Sequence, residues 1–300
     1  MHLLADLCET VPIILAKAAE IHISPPEEAR LLPKGSKDYT HTVDLLVQAY
    51  LQEHLLALIP GSSFLGEEGE MVEGPKTRYE WVVDPTDGTA VYALGGEMYS
   101  ISVALRDHVS RKTIFGCVYQ PANGRYFVRG DEVQEFKKSF WSPQMHDYVV
   151  GIPRPSRSPC PGEWLICAFG TSFHIDKTPA LQRQIDNIFA PQKIEGFDRS
   201  YAPQLVRPCS GSSALFLSQI ANGERHGAVL GFQKAWDMSA GLLIARDVGC
   251  PVYVSKNLDV LLGDDEVEGT LLKCGKEDMI HACAFANADV ESYVRKRMAA

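Results

Sequence analysis

The chain opens on an apolar pattern of helical period. Leu3, Leu4, Leu7, Ile14, Leu15, Ala18 and Ile21 line one side of a helix over residues 2–22, with a kink expected at Pro12. A Pro-rich, charged connection covers 24–37. Thr42 is then placed to cap a second helix over 43–58, with Leu45, Leu46, Ala49 and Leu56 spaced for one buried face. From residue 64 the pattern becomes that of strands, at 64–66, 81–83, 99–105, 113–119 and 125–128, and Asn123-Gly124 marks a hairpin between the last two. This reads as a largely antiparallel sheet behind two helices. A Pro-rich stretch over 152–162 separates it from a second half in which the elements alternate. Strands are expected at 164–169, 205–207, 227–230, 252–254 and 271–274, and helices at 178–189, 212–220, 236–248 and across much of 277–297. The pattern predicts an antiparallel-sheet α+β half over 1–150 packed on an α/β half over 151–300.

Composition narrows the function more than the fold. A net charge of −9 over 300 residues leaves no basic stripe for a nucleic-acid polymer. A small phosphorylated ligand remains open, because a bound metal can supply the positive charge. No apolar run approaches the roughly 18 residues of a membrane span, and no signal-peptide pattern is visible. The eight cysteines are scattered without a CxxC pair, which predicts reduced thiols in a cytoplasmic protein. The nine histidines show no ligand spacing.

The chemistry concentrates around Trp81-Val82-Val83-Asp84-Pro85-Thr86-Asp87-Gly88-Thr89. A strand aims Asp84 from its end, and Pro85 is expected to turn the chain there. The turn can set Asp87 beside Asp84, and two converging carboxylates repel unless a cation lies between them. Gly88 and Thr89 open a helix start that suits a phosphate. The competing reading is a β-turn whose aspartates only cap a helix. Glu67, at the end of the preceding strand, would add a third carboxylate if the two strands are neighbours. Asp44 and Asp237 each sit in a helical first turn, where an acid also serves the dipole or the cap. Hard oxygen donors without Cys/His clustering favour Mg²⁺ over zinc.

Gly66-Glu67-Glu68, Asp84 to Thr89 and Trp236-Asp237-Met238-Ser239-Ala240-Gly241 occur in the order that resembles the inositol monophosphatase-like superfamily, Mg²⁺-dependent, lithium-sensitive phosphatases of small metabolites. The resemblance covers most of the chain and implies an αβαβα sandwich and a homodimer. It implies metal binding, with two or three Mg²⁺ per site, by Glu67, Asp84, Asp87, Asp237 and the Thr86 carbonyl. Asp44 and Glu68 fall close to the metals, Thr89 with Glu67 activates the attacking water, and Gly88 with Thr89 binds phosphate. Ser172, Ser212 and Ser213 match substrate contacts, and Lys34 or Lys37 matches a loop lysine. Two departures leave the substrate open. Leu230 stands where inositol monophosphatases carry a Glu seven positions before the helix-start Asp, and Ala90-Val91-Tyr92 replaces their Thr-Asn-Phe. Inositol monophosphate, 3′-phosphoadenosine 5′-phosphate and sugar bisphosphates all remain substrates to test, as does a homologue without catalysis. The aspartyl-phosphate phosphatases share a similar DxDGT string, but here an extra residue separates the two aspartates.

Overall fold

A computed structural model describes residues 3–33, 39–74, 78–129, 133–136, 149–151, 164–170, 179–190, 192–193, 200–201, 204–206, 211–258, 263 and 265–299. Helices α1 (Leu3–Ile23) and α2 (Thr42–Leu58) pack on each other and cover one face of a seven-stranded sheet. Two short strands, β1 (Leu31–Pro33) and β2 (Tyr39–His41), form a hairpin between them. The large sheet comprises β3 (Ser63–Gly66), β4 (Tyr79–Asp87), β5 (Ser100–Asp107), β6 (Lys112–Gln120), β7 (Arg125–Arg129), β8 (Val133–Phe136) and β9 (Val149–Gly151). They lie side by side in chain order, and every neighbour is antiparallel except β3 and β4. The five-stranded second sheet contains β10 (Leu165–Gly170), β13 (Gln204–Val206), β14 (Gly227–Gln233), β15 (Val252–Ser255) and β16 (Ile280–Phe285), in the order β13-β10-β14-β16-β15. A two-stranded ribbon joins β11 (Gln192–Lys193) to β12 (Ser200–Tyr201).

Period-two alternation along the strands makes the layers. In the first sheet Trp81, Val83, Ile101, Val103, Leu105 and Phe115 face α1 and α2, while Val82, Ala104, Val118 and Phe127 face the other way. There they meet α5 (Ser213–Ala221) and α6 (Ala235–Asp247), which also receive Ala228, Leu230, Ala282 and Ala284 from the second sheet. Val229, Cys283 and Phe285 point to the far side, against the helices α4 (Pro179–Phe189) and α8 (Ala288–Met298). Helix, sheet, helix, sheet, helix: the αβαβα sandwich is the architecture found. The middle layer is apolar on both sides, so its core joins residues from both halves of the chain.

Several elements differ from the pattern, each for a local reason. Helix α1 runs unbroken through a buried Pro12. Helix α2 buries Val43, Val47, Leu51 and Leu55 and exposes Leu45, Leu46 and Ala49. Both stripes are apolar, and the buried one carries Asp44 and Gln48 because partners satisfy them inside. Its cap is His41, not Thr42: the His41 ring accepts the Val43 N–H at 3.2 Å and Asp44 accepts the His41 N–H at 2.8 Å. Strand β4 does not turn at Pro85 but continues to Asp87, with an irregular register between Asp84 and Asp87. A proline lacking an N–H is tolerated at such a bulge, where no ladder bond is required. Residues 271–274, expected as a strand, mostly close helix α7 (Val267–Lys273), which Glu266 caps. The single helix expected across 277–297 is two elements, because buried Ile280–Phe285 pairs as β16 before Asn287 caps α8.

Candidate metal and phosphate site

Because β3 and β4 are parallel, their C-terminal ends emerge at the same edge. Leu65 pairs with Val82 and Gly66 with Val83, and the Glu67 N–H extends the ladder to the Val83 carbonyl at 3.1 Å. Glu67 therefore leaves its strand beside Asp84. Asp84 pairs with Ser102 on β5, whose hydroxyl donates to the Trp236 carbonyl at 3.1 Å. That bond seats the start of α6 against the sheet and brings Asp237 to the same place. Asp87, one bulge further on, accepts the Ser212 hydroxyl and the Ala214 N–H, both at 2.7 Å and both on Oδ2.

The four acids feel one another. Burial pushes Asp84 well above the carboxylate range, and the charges of Glu67, Asp87 and Asp237 push it further. Burial pushes Asp87 up to about 7 although Ser212 and Ala214 favour its charged form. Asp237, half-buried, rises to about 7 through desolvation and then the Asp87 charge, and its Oδ2 accepts the Lys234 N–H at 2.8 Å. It closes the helix cap and faces the acid cluster at once. Acids raised together in this way are the signature of a site whose charges are balanced by a cation. Among the described residues, no three of these side chains stand as a ready-made metal shell.

A second layer of bonds comes from α2 and the turn after β4. Asp44, 1% exposed, accepts on Oδ2 from His41 N–H at 2.8 Å, Thr89 Oγ1 at 3.2 Å and Thr40 Oγ1 at 3.3 Å. Its Oδ1 is buried with no hydrogen-bond partner among the described residues, and burial raises its pKa. The Thr86 hydroxyl faces this carboxylate and offsets part of the rise, and a buried oxygen without a bond of good geometry is one that a cation or water would satisfy. Thr40 also donates to Glu68 at 2.8 Å. The Thr89 hydroxyl donates to Asp44 and to the Thr86 carbonyl at 3.1 Å. The Thr86 N–H donates to Asp84 Oδ1 at 2.9 Å. Gly88 takes φ of +100°, a conformation that favours glycine, and so lets Thr89 turn back toward Asp44. The helix that follows, α3 (Thr89–Ala93), has only five residues, too short for the dipole expected there.

In sequence comparison, the profile of the Inositol monophosphatase family matches residues 13–277. The chain belongs to the inositol monophosphatase family. Nus factor SuhB of Vibrio cholerae is 27% identical over 252 residues, covering 81% of this chain and 83% of that protein. Inositol-1-monophosphatase of Rhizobium meliloti is 25% identical over 254 residues, covering 83% and 82%. The crystal structure of an IMPase/NADP phosphatase complexed with Mg²⁺ and phosphate superposes with a TM-score of 0.68 at 17% identity, over 97% of this chain and 94% of that one. The two sequence relatives align over about four fifths of each chain, and the solved structure over nearly all of it.

Within this inositol monophosphatase family fold, some expected site residues have other work. Ser212 is fully buried; it caps α5 and holds Asp87, and its hydroxyl shares a bond with Ser100 at 2.6 Å. Ser213, 2% exposed, donates to Gln233. The Ser212 hydroxyl is thus committed to Asp87 and the Ser213 hydroxyl to Gln233. Leu230 is wholly within the middle core. Ser172, Lys34 and Lys37 lie outside the described residues.

The residue that sequence reasoning missed is Gln48. Its amide grips both backbone groups of Glu68, accepting the N–H at 2.8 Å and donating to the carbonyl. Gly66 makes the room, since a Cβ there would lie 2.4 Å from Gln48 Oε1. The signal was present in the chain: Gln48 follows Asp44 by one helical turn, on the same face.

Proposed function

We propose that this protein is a Mg²⁺-dependent phosphomonoesterase acting on a small phosphorylated metabolite of the inositol monophosphate type. The observation that carries the reading is the convergence of Glu67, Asp84, Asp87 and Asp237 at one sheet edge, each close enough to feel the charge of another. In this reading Glu67, Asp84, Asp87, Asp237 and the Thr86 carbonyl would hold two or three Mg²⁺, whose charge would acidify a water and screen the phosphoryl group. The Thr89 hydroxyl, already donating to Asp44, accepts a proton from the attacking water while passing its own to Asp44. Glu67 orients the same water, and Gly88 with Thr89 receives the phosphoryl oxygens. No protein nucleophile is required. Reduced cysteines and the family resemblance support a cytoplasmic homodimer.

The likeness to a protein named Nus factor supports a second reading, a partner-binding role in which turnover is secondary. One experiment separates them. Phosphate release is measured with and without Mg²⁺ on inositol 1-phosphate, 3′-phosphoadenosine 5′-phosphate and fructose 1,6-bisphosphate, with Asp87→Asn as control. Mg²⁺-dependent turnover lost in the variant supports the phosphatase. Mg²⁺ binding without turnover on the panel favours the second reading.

A further inference from the structure

Thr86 lies at the centre of the proposed metal turn, and its side chain is held from outside that turn. His22, in the last turn of α1, places Nε2 2.9 Å from Thr86 Oγ1, across 64 residues of chain. The ring is 3% exposed. It meets Tyr92 edge-on at 5.2 Å and Tyr99 at 5.4 Å, and the Tyr92 hydroxyl donates to the His22 carbonyl at 3.2 Å. His41, the cap of α2, meets the other edge of Tyr92 at 5.2 Å. His22 thus ties α1 to Thr86, and Tyr92 packs against both histidines.

Packing alone does not account for a histidine here. The ring also meets the Ala18 carbonyl one helical turn back, but its buried Nδ1 makes no hydrogen bond of good geometry among the described residues. A phenylalanine would fill the same aromatic slot without stranding a polar atom. What the imidazole adds is the bond to Thr86. The other polar groups of Thr86 all work inside the site. Its N–H meets Asp84, its carbonyl accepts from Thr89, and its hydroxyl faces Asp44. Fixing the hydroxyl fixes the rotamer of a β-branched residue, and with it steadies the peptide whose carbonyl accepts from Thr89.

Resting on the phosphatase reading, we infer that His22 is a positioning residue for the metal turn: it orients Thr86, and through Thr86 the groups that hold Mg²⁺ and the attacking water. It touches neither substrate nor metal. Loss of an outer partner of this kind costs roughly 10–100-fold in metal affinity or activity.

The test uses the full chain, with Mg²⁺ binding followed by calorimetry, phosphate release, and thermal unfolding without metal. His22→Phe keeps the ring stack and deletes the bond; His22→Gln restores an amide nitrogen within reach; Thr86→Val deletes the hydroxyl from the other side. The expected result is a metal-free Tm for His22→Phe at or above the parent, with Mg²⁺ affinity and kcat each reduced about tenfold or more. His22→Gln should recover most of the loss, and the His22→Phe/Thr86→Val double variant should be no worse than either single one. Parent-like Mg²⁺ affinity and kcat in His22→Phe, or losses that add in the double variant, would overturn the inference while leaving the phosphatase intact. A parent that binds Mg²⁺ without turnover, and loses that binding in His22→Phe, would support His22 and sink the catalytic reading.

Discussion

Replacing Asp87 by Asn should stabilise the metal-free protein. The Ser212 and Ala214 hydrogen bonds fall on one oxygen of Asp87, so the Asn side-chain carbonyl can accept both unchanged, while the Ser213 N–H also faces this group. The amide then takes the place of the second oxygen, in a group whose ionisation the Glu67 charge opposes. A carboxyl whose folded-state pKa lies above its unfolded value binds protons more tightly in the folded chain, so stability falls as pH rises between the two. For Asp87 that window runs from 3.8 to about 7. Ionising it in place costs about 4 kcal/mol by pH 8 if borne alone, and about 2–4 kcal/mol once the neighbouring acids share the repulsion. At pH 5 the folded carboxyl is still protonated and the cost is about 1–2 kcal/mol. For 300 residues the pH 8 gain corresponds to a Tm rise of roughly 3–6 °C in chelator-treated Asp87→Asn. The assay is thermal unfolding of parent and variant at pH 5 and pH 8, with EDTA and then with excess Mg²⁺. Mg²⁺ should raise the parent's Tm and leave the variant's little changed. A variant no more stable than the parent at pH 8, or equally stabilised at both pH values, would refute the account of a buried acid cluster awaiting charge.

The same protons should be visible during metal uptake. Because Asp87 and Asp237 hold protons up to about 7, Mg²⁺ binding at pH 6.5 should release protons. Its Kd should weaken by up to about tenfold per pH unit for each proton displaced, read by calorimetry in buffers of different ionisation enthalpy. Thr89→Ala should lower kcat by about 100-fold or more while Mg²⁺ still raises Tm, since Thr89 is half-buried and its loss leaves the acids in place. A Gly66→Ala variant should lose about 1–3 kcal/mol as its new methyl collides with Gln48; adding Gln48→Ala should recover part of the stability and none of the activity.

Much of this site was legible because it is built from short strings. The strand ends at Glu67 and Asp84 and the helix start at Asp237 each announce themselves by local pattern. The parallel pairing that joins the first two needs only that the strands be neighbours. What stayed hidden depends on three-dimensional choice between equal candidates. Helix α2 offered two apolar stripes, and only the packed structure selects the one bearing Asp44 and Gln48. The alanine-rich run in Ile280–Phe285 has no strong strand propensity and is a strand because it is buried between β14 and β15. His22 was invisible for a related reason: 64 residues separate it from Thr86, and nothing local to either marks the pair.

The middle helical layer has a consequence for how the protein holds together. Leu65, Val82, Ala104, Val118 and Phe127 belong to the first sheet, yet their apolar surface is covered by helices from the second half. Asp237 arrives on one of those helices. A chain cut between β9 and β10 would therefore leave a fragment with three of the four acids and a bare hydrophobic face. The four acids come together only when both halves of the chain are folded against the shared helical layer.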